Sequence, residues 1–151
     1  MAGVELEETL EAAVPPATLF GVVEDLASYP AWLDIVRRAV PAEAAARDEG
    51  PAWDVELRAR MGPLARSKRL RMVRTRIEPG RSVRFERSER DGKVHSPWVL
   101  EAEVSPAEGG AHLAMVLSYG GAFGGAVLER LLRDEVERAR PRLRALVEQG
   151  G

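Results

Sequence analysis

The sequence predicts an α+β fold: a curved antiparallel sheet of six or seven strands around a long C-terminal helix, with two short helices after the first strand. Three observations carry this. The predicted elements run strand, helix pair, about six strands, closing helix, an order that a repeating strand-helix parallel sheet does not produce. Most of the strand segments alternate apolar and polar residues with period two, so these have one face to bury. Only the last segment carries a long apolar stripe at helical spacing.

Taken in order, Val4 to Ala12 alternates, with Val4, Leu6, Leu10 and Ala12 on one face and Glu5, Glu7, Thr9 and Glu11 on the other; Glu8 is a charge on the apolar face. Pro15-Pro16 suits the first turn of a helix, in which Leu19, Phe20, Val23 and Leu26 recur until Pro30 breaks it. A second short helix is expected to carry Trp32, Ile35 and Val36, and Val40, Ala42, Ala44 and Ala46 an edge-like strand. Trp53, Val55, Leu57 and Ala59 then alternate with Asp54, Glu56, Arg58 and Arg60. Between Arg66 and Ile77 neither parity is cleanly apolar, since Leu70 and Met72 oppose Val73 and Ile77, and a bulge would reconcile them. Val83 to Arg87 is a further strand, and the Asp91-Gly92 pair reads as a hairpin. Val94, Ser96, Trp98, Leu100, Ala102 and Val104 mark one inner face, and Ala111, Leu113, Met115, Leu117 and Tyr119 the last. Leu128, Leu131, Leu132, Glu135, Ala139, Leu143 and Leu146 form the closing stripe, with a kink expected near Glu137 to Pro141.

A chain of 151 residues has the common size of one domain, and residues 1–151 are read as such, without internal repeats or a linker. No apolar run approaches the roughly 20 residues of a membrane span. The acidic N-terminus lacks the pattern of a secretory signal, so a cytoplasmic protein is expected. Without cysteine there is no disulfide, thiolate site or cysteine nucleophile. His95 and His112 fall on the outward parity of separate strands with no carboxylate cluster beside them, and no metal or cofactor is expected. The GGAFGG run at 120–125 fits neither GxGxxG nor GxxxxGK[ST], and GxSxG and HExxH do not occur.

The wording of Val14 to Val40 adds a family likeness. Two prolines open the first helix, Glu24-Asp25-Leu26 closes it, and Tyr29-Pro30-Ala31-Trp32 opens the second. With the element order, this resembles the START-like (SRPBCC) superfamily of helix-grip proteins, which includes the polyketide cyclase/dehydrase and coenzyme Q-binding groups. The likeness spans nearly the whole chain and marks a fold rather than a catalytic motif. It implies a lipid, quinone or polyketide-like ligand.

A curved sheet closed by one helix encloses more volume than that helix fills, so a ligand cavity is expected. Trp53, Leu57, Trp98, Leu100, Leu117, Leu128 and Leu132 are its expected lining. Glu8, Ser96, Tyr119 and Glu135, with Arg69, Arg71 or Arg87 according to register, are its candidate polar groups. A buried carboxylate needs a partner or a proton, so an arginine is expected beside Glu8 or Glu135 if either lies inside. The leading expectation is binding of an apolar or amphipathic small molecule. The alternative is a cyclase/dehydrase-type enzyme, whose acid-base groups would be Tyr119, Glu135 and an arginine. A third reading uses the arginines between Arg58 and Arg90 to meet RNA or an acidic protein. Only Phe85 interrupts that span with an aromatic ring, and nucleic acid is not the expected partner.

Overall fold

The computed structural model describes residues 4–61, 63–120 and 125–149, with the side chains of Met61 and of residues 125–128 outside that description. The elements are β1 (Val4–Ala12), α1 (Pro16–Val23), a 3-10 helix (Leu26–Ala31), β2 (Val36–Ala42), β3 (Ala52–Met61), β4 (Leu64–Glu78), β5 (Ser82–Arg87), β6 (Trp98–Ala107), β7 (Gly110–Tyr119) and α2 (Gly125–Gln149). The seven strands form one antiparallel sheet in the order β1-β7-β6-β5-β4-β3-β2. All but one link join sheet neighbours. The exception runs from β1 to β2 at opposite edges, and α1 with the 3-10 helix makes that crossing. Pro41 is tolerated in β2 because β2 is an edge strand.

Local chemistry explains where the helices differ from expectation. Asp25 accepts a hydrogen bond from the Ala27 amide at 3.0 Å and starts the 3-10 turn. Pro30 lies inside this short helix, which ends at Ala31 with Trp32 as its cap. Ile35 therefore belongs to no helix and Val36 opens β2, which ends at Ala42 rather than continuing to Ala46. The β4–β5 register slips between Arg74 and Arg76, placing one extra residue on β4. β6 begins only at Trp98, so Val94 and Ser96 lie in the preceding loop, and Val94 is wholly exposed. That loop replaces the tight hairpin read from Asp91-Gly92. Gly92 does take the left-handed conformation (φ 72°), and Asp91 accepts from the Lys93 amide at 3.0 Å.

The core lies between the concave face and the helices. Leu19, Phe20 and Val23 of α1 are buried, as are Leu132, Ala139, Leu143 and Val147 of α2. Val147, not Leu146, completes the α2 stripe, and Leu146 stands 38% exposed. Pro141 lies inside a helix that continues to Gln149. Gly110 is required where β7 starts, because a Cβ there would stand 2.1 Å from the Ala12 carbonyl oxygen.

Candidate functional site

A cavity of about 160 Å³ lies between the concave sheet and α2. Leu6, Leu10, Leu113, Met115 and Leu117 of β1 and β7 form one wall. Val55, Leu57, Leu70 and Met72 of β3 and β4 form the facing wall, with Trp98 and Leu100 between. Leu132, Val136, Ala139 and Leu143 of α2 close it. The crossing segment supplies Leu26, Tyr29, Trp32, Leu33 and Ile35. Tyr29 and Trp32 pack with ring centroids 4.7 Å apart, and the Tyr29 hydroxyl donates to the Val23 carbonyl at 2.9 Å. Burial, and secondarily the Asp25 charge, push the Tyr29 phenol far up.

Charge enters this lining from two helical turns of α2 and from β1. Glu8 shares the inner parity of β1 with Leu6 and Leu10, and its carboxylate accepts from the Arg140 guanidinium at 2.6 Å. Arg140 also stands 3.6 Å from Glu137, while its Nε is buried without a hydrogen-bond partner among the described residues. Glu135 lines the cavity with only 16% of its side chain exposed and pairs with Arg138. Nearby, Arg142 meets Asp34 at 2.5 Å and holds that carboxyl below its ordinary range, chiefly through the hydrogen bond.

Among the expected lining residues, Leu57, Trp98, Leu100, Leu117 and Leu132 border the cavity, whereas the side chain of Leu128 lies outside the description. Trp53 is corrected from lining to core. It shares the concave face with Trp98, but its ring meets Phe85 edge-on at 5.5 Å and is packed away from the cavity. Tyr119 is also behind the lining. It stacks on Trp98 at 4.7 Å and 17°, leaving its hydroxyl buried without a described partner. Desolvation, then the Glu129 charge, raise its phenol. Tyr119, Glu135 and an arginine are thus not brought together around one volume.

The arginines of β4 need a larger correction. Leu70 and Met72 face the cavity, so alternation turns Arg69 and Arg71 to the opposite side. Arg69 is exposed there. Arg71 is buried under the β2–β3 connection, where its guanidinium grips both Asp48 oxygens at 2.6 and 3.2 Å. The Glu43 and Ser88 carbonyls take further hydrogen bonds from it at 2.9 and 3.2 Å. The Arg71 bond, followed by the Ala45 amide, brings the Asp48 carboxyl down to about 2. Arg87 and Ser96 meet each other beside the sheet end, with Arg87 donating to Glu89 at 2.7 Å and to the Ser96 carbonyl at 3.3 Å; neither lines the cavity.

Sequence reasoning missed Tyr29, Trp32, Val136 and Arg140. The i, i+3 spacing of Tyr29 and Trp32 is the 3-10 signal that joins them on one side. Arg140 is the cation that an inward Glu8 requires, although many arginines could have met that demand.

Residues 3–148 match the family described as polyketide cyclase/dehydrase and lipid transport. The chain belongs to this family. It is similar in structure to a START superfamily protein from Mycobacterium smegmatis, with a TM-score of 0.74, 14% identity, and coverage of 97% of this chain and 99% of that one. A protein from Thermus thermophilus matches with a TM-score of 0.73, 17% identity and 99% coverage of both chains. The Zhui aromatase/cyclase from a Streptomyces species matches with a TM-score of 0.69 and 12% identity, covering 98% of this chain and 95% of that one. At these identities the likeness is one of fold. No functionally curated protein matches the sequence.

Proposed function

We propose that the protein binds an apolar or amphipathic small molecule, of lipid, quinone or polyketide-like character, in the cavity between the sheet and α2. The observation that carries this reading is the lining: aliphatic and aromatic side chains on the sheet, α2 and crossing segment, with charge confined to Glu8–Arg140 and Glu135–Arg138. Such a wall favours removing hydrocarbon from water, and the margin of ion pairs gives a polar end somewhere to lie. Native mass spectrometry of protein purified without added ligand tests this directly. A retained small molecule that is lost in a Leu117→Trp variant, whose indole fills the cavity, is the expected result. Ligand-free protein that also leaves an environment-sensitive apolar dye unperturbed would overturn it.

A cyclase/dehydrase-type activity is the second reading, favoured by two carboxylates, Glu8 and Glu135, at the edge of an otherwise apolar volume. Either carboxylate could accept a proton from a bound polyketone. Turnover of a polyketone analogue that is abolished in Glu8→Gln or Glu135→Gln would separate catalysis from binding.

A further inference from the structure

We propose that the β3–β4 hairpin docks the protein onto an anionic lipid surface. Residues 57–77 hold eight cationic side chains and no carboxylate, in a chain whose net charge is −2. The remainder of the protein is therefore strongly acidic; of the eight, Arg71 is neutralised by Asp48 and Arg76 stands 3.9 Å from Glu101, so the cations nearest the β3–β4 turn carry the polarity. At its outer end, Arg58 and Arg60 on β3 and Arg66 and Arg69 on β4 are exposed and form no salt bridge with any described residue. Alternation places Arg58, Arg60 and Arg69 on one face and Arg66 on the other, so cations flank the hairpin on both sides. Leu64, opening β4 beside the turn, is 63% exposed among them.

A second apolar tip lies at the same end of the sheet. β5 runs antiparallel to β4 and finishes at Arg87, opposite Met72, so the loop after β5 leaves toward the hairpin end. The Ser88 amide there donates to the Arg71 carbonyl at 2.9 Å. This loop carries Val94, fully exposed, immediately after Lys93. Leu64 and Val94 are two of the three large apolar side chains that the described structure leaves exposed.

An apolar tip ringed by cations is matched to a bilayer interface, where the tip enters the acyl boundary and the cations meet phosphates. A single-stranded nucleic acid would instead call for aromatic stacking surfaces, which this arm lacks, and a duplex met through its phosphates would leave the exposed leucine and valine without a role. An acidic protein would be met by the cations but leaves the exposed leucine and valine without a role. The inner face of the hairpin also continues the cavity wall, because Lys68, Arg66 and Leu64 follow Leu70 on one parity. The docking reading does not depend on what the cavity holds.

The test is flotation of the purified protein with vesicles of phosphatidylcholine alone and of phosphatidylcholine with an equal part of phosphatidylglycerol. Binding to the anionic vesicles only, weakened by salt, is expected. The triple variant Arg58→Gln/Arg60→Gln/Arg66→Gln should lower partitioning by about a hundredfold, and Leu64→Ser by about tenfold. Arg81→Gln, at the opposite end of β4–β5, should leave it unchanged. No binding to anionic vesicles, equal binding by the triple variant, or loss in the triple variant with none in Leu64→Ser and Val94→Ser would each overturn the proposal. The last outcome would instead mark a site for an acidic macromolecule.

Discussion

Two arginine–carboxylate pairs sit on opposite faces of the same sheet, and they are built differently. Arg71 and Asp48 are 7% and 2% exposed, and the guanidinium is shared among both Asp48 oxygens and two carbonyls. Arg140 and Glu8 are 29% and 22% exposed, joined by a single close contact, with the Arg140 Nε buried and unmatched. A completed network rigidifies, whereas a half-completed one carries a desolvation cost with no structural return. The first pair locks the β2–β3 connection onto the sheet. The second has spare hydrogen-bonding capacity beside an apolar cavity, which is what a ligand's polar end can use.

The largest expected effect separates the pairs by stability. Asp48→Ala leaves the Arg71 charge buried without its carboxylate and should cost about 3–5 kcal/mol. Glu8→Gln leaves Arg140 within reach of water and Glu137, and should cost about 1 kcal/mol or less. Urea unfolding of both variants measures the difference, and equal losses would erase the distinction. Leu132→Ala comes next, at about 2–5 kcal/mol. Because Leu132 is buried yet borders the cavity, the lower part of that range is expected.

The locked pair should also respond to acid. In the fold the Asp48 carboxyl sits at about 2, below its unfolded value near 3.9. The charged form is favoured on folding, so its stabilisation of about 2 kcal/mol is fully present above roughly pH 4 and is lost as pH falls toward 2. Asp48→Asn should remove this part of the acid dependence. An unchanged slope of stability against pH in that variant would mean that other carboxylates govern acid unfolding.

The same contrast explains what the sequence reveals. Trp53, Val55, Leu57 and Ala59 announce a one-sided strand because their alternation is local, and the α2 stripe announces itself in the same way. The bulge in β4 is legible from the conflict of Leu70 and Met72 with Ile77, which the slip between Arg74 and Arg76 turns onto the cavity face; Val73 precedes the slip and stays on the opposite face, against expectation. The facing of Arg69 and Arg71 is not legible. Residues 70–73 are all buried, Leu70 and Met72 on the cavity face and Arg71 under a loop folding over the other face, so burial there loses its period. Asp48 finds Arg71 across 23 residues and Arg140 finds Glu8 across 132, and neither pairing has a local signature. The boundary at Val36 is hidden for a different reason: Trp32, Ile35 and Val36 have helical spacing, but Pro30 inside a short 3-10 helix lets the chain straighten first.

Ligand affinity should distinguish the acidic groups of α2 more gently. Glu135 lines the cavity, whereas Glu129 pairs with Arg133 along the helix surface at 3.2 Å. Glu135→Gln should change the affinity of an amphipathic probe severalfold, by about the 1 kcal/mol of one altered polar contact, and Glu129→Gln should not. Titration of one dye against both variants decides this, and identical curves would leave Glu8–Arg140 as the polar end of the cavity.

The smallest effect concerns two buried tyrosines. The Tyr29 hydroxyl donates to the Val23 carbonyl, so Tyr29→Phe removes a made hydrogen bond and strands its acceptor, at a cost of about 1 kcal/mol. The Tyr119 hydroxyl has no described partner, and its ring already stacks on Trp98. Tyr119→Phe keeps the stack and deletes only a desolvated group, so stability should stay level or rise by up to about 1 kcal/mol. The two variants differ from wild type by one oxygen each, which makes the comparison insensitive to packing. If Tyr119→Phe instead costs as much as Tyr29→Phe, the Tyr119 hydroxyl has a partner in solution. The apolar cavity would then have a polar neighbour behind Trp98, on its sheet side, as well as at α2.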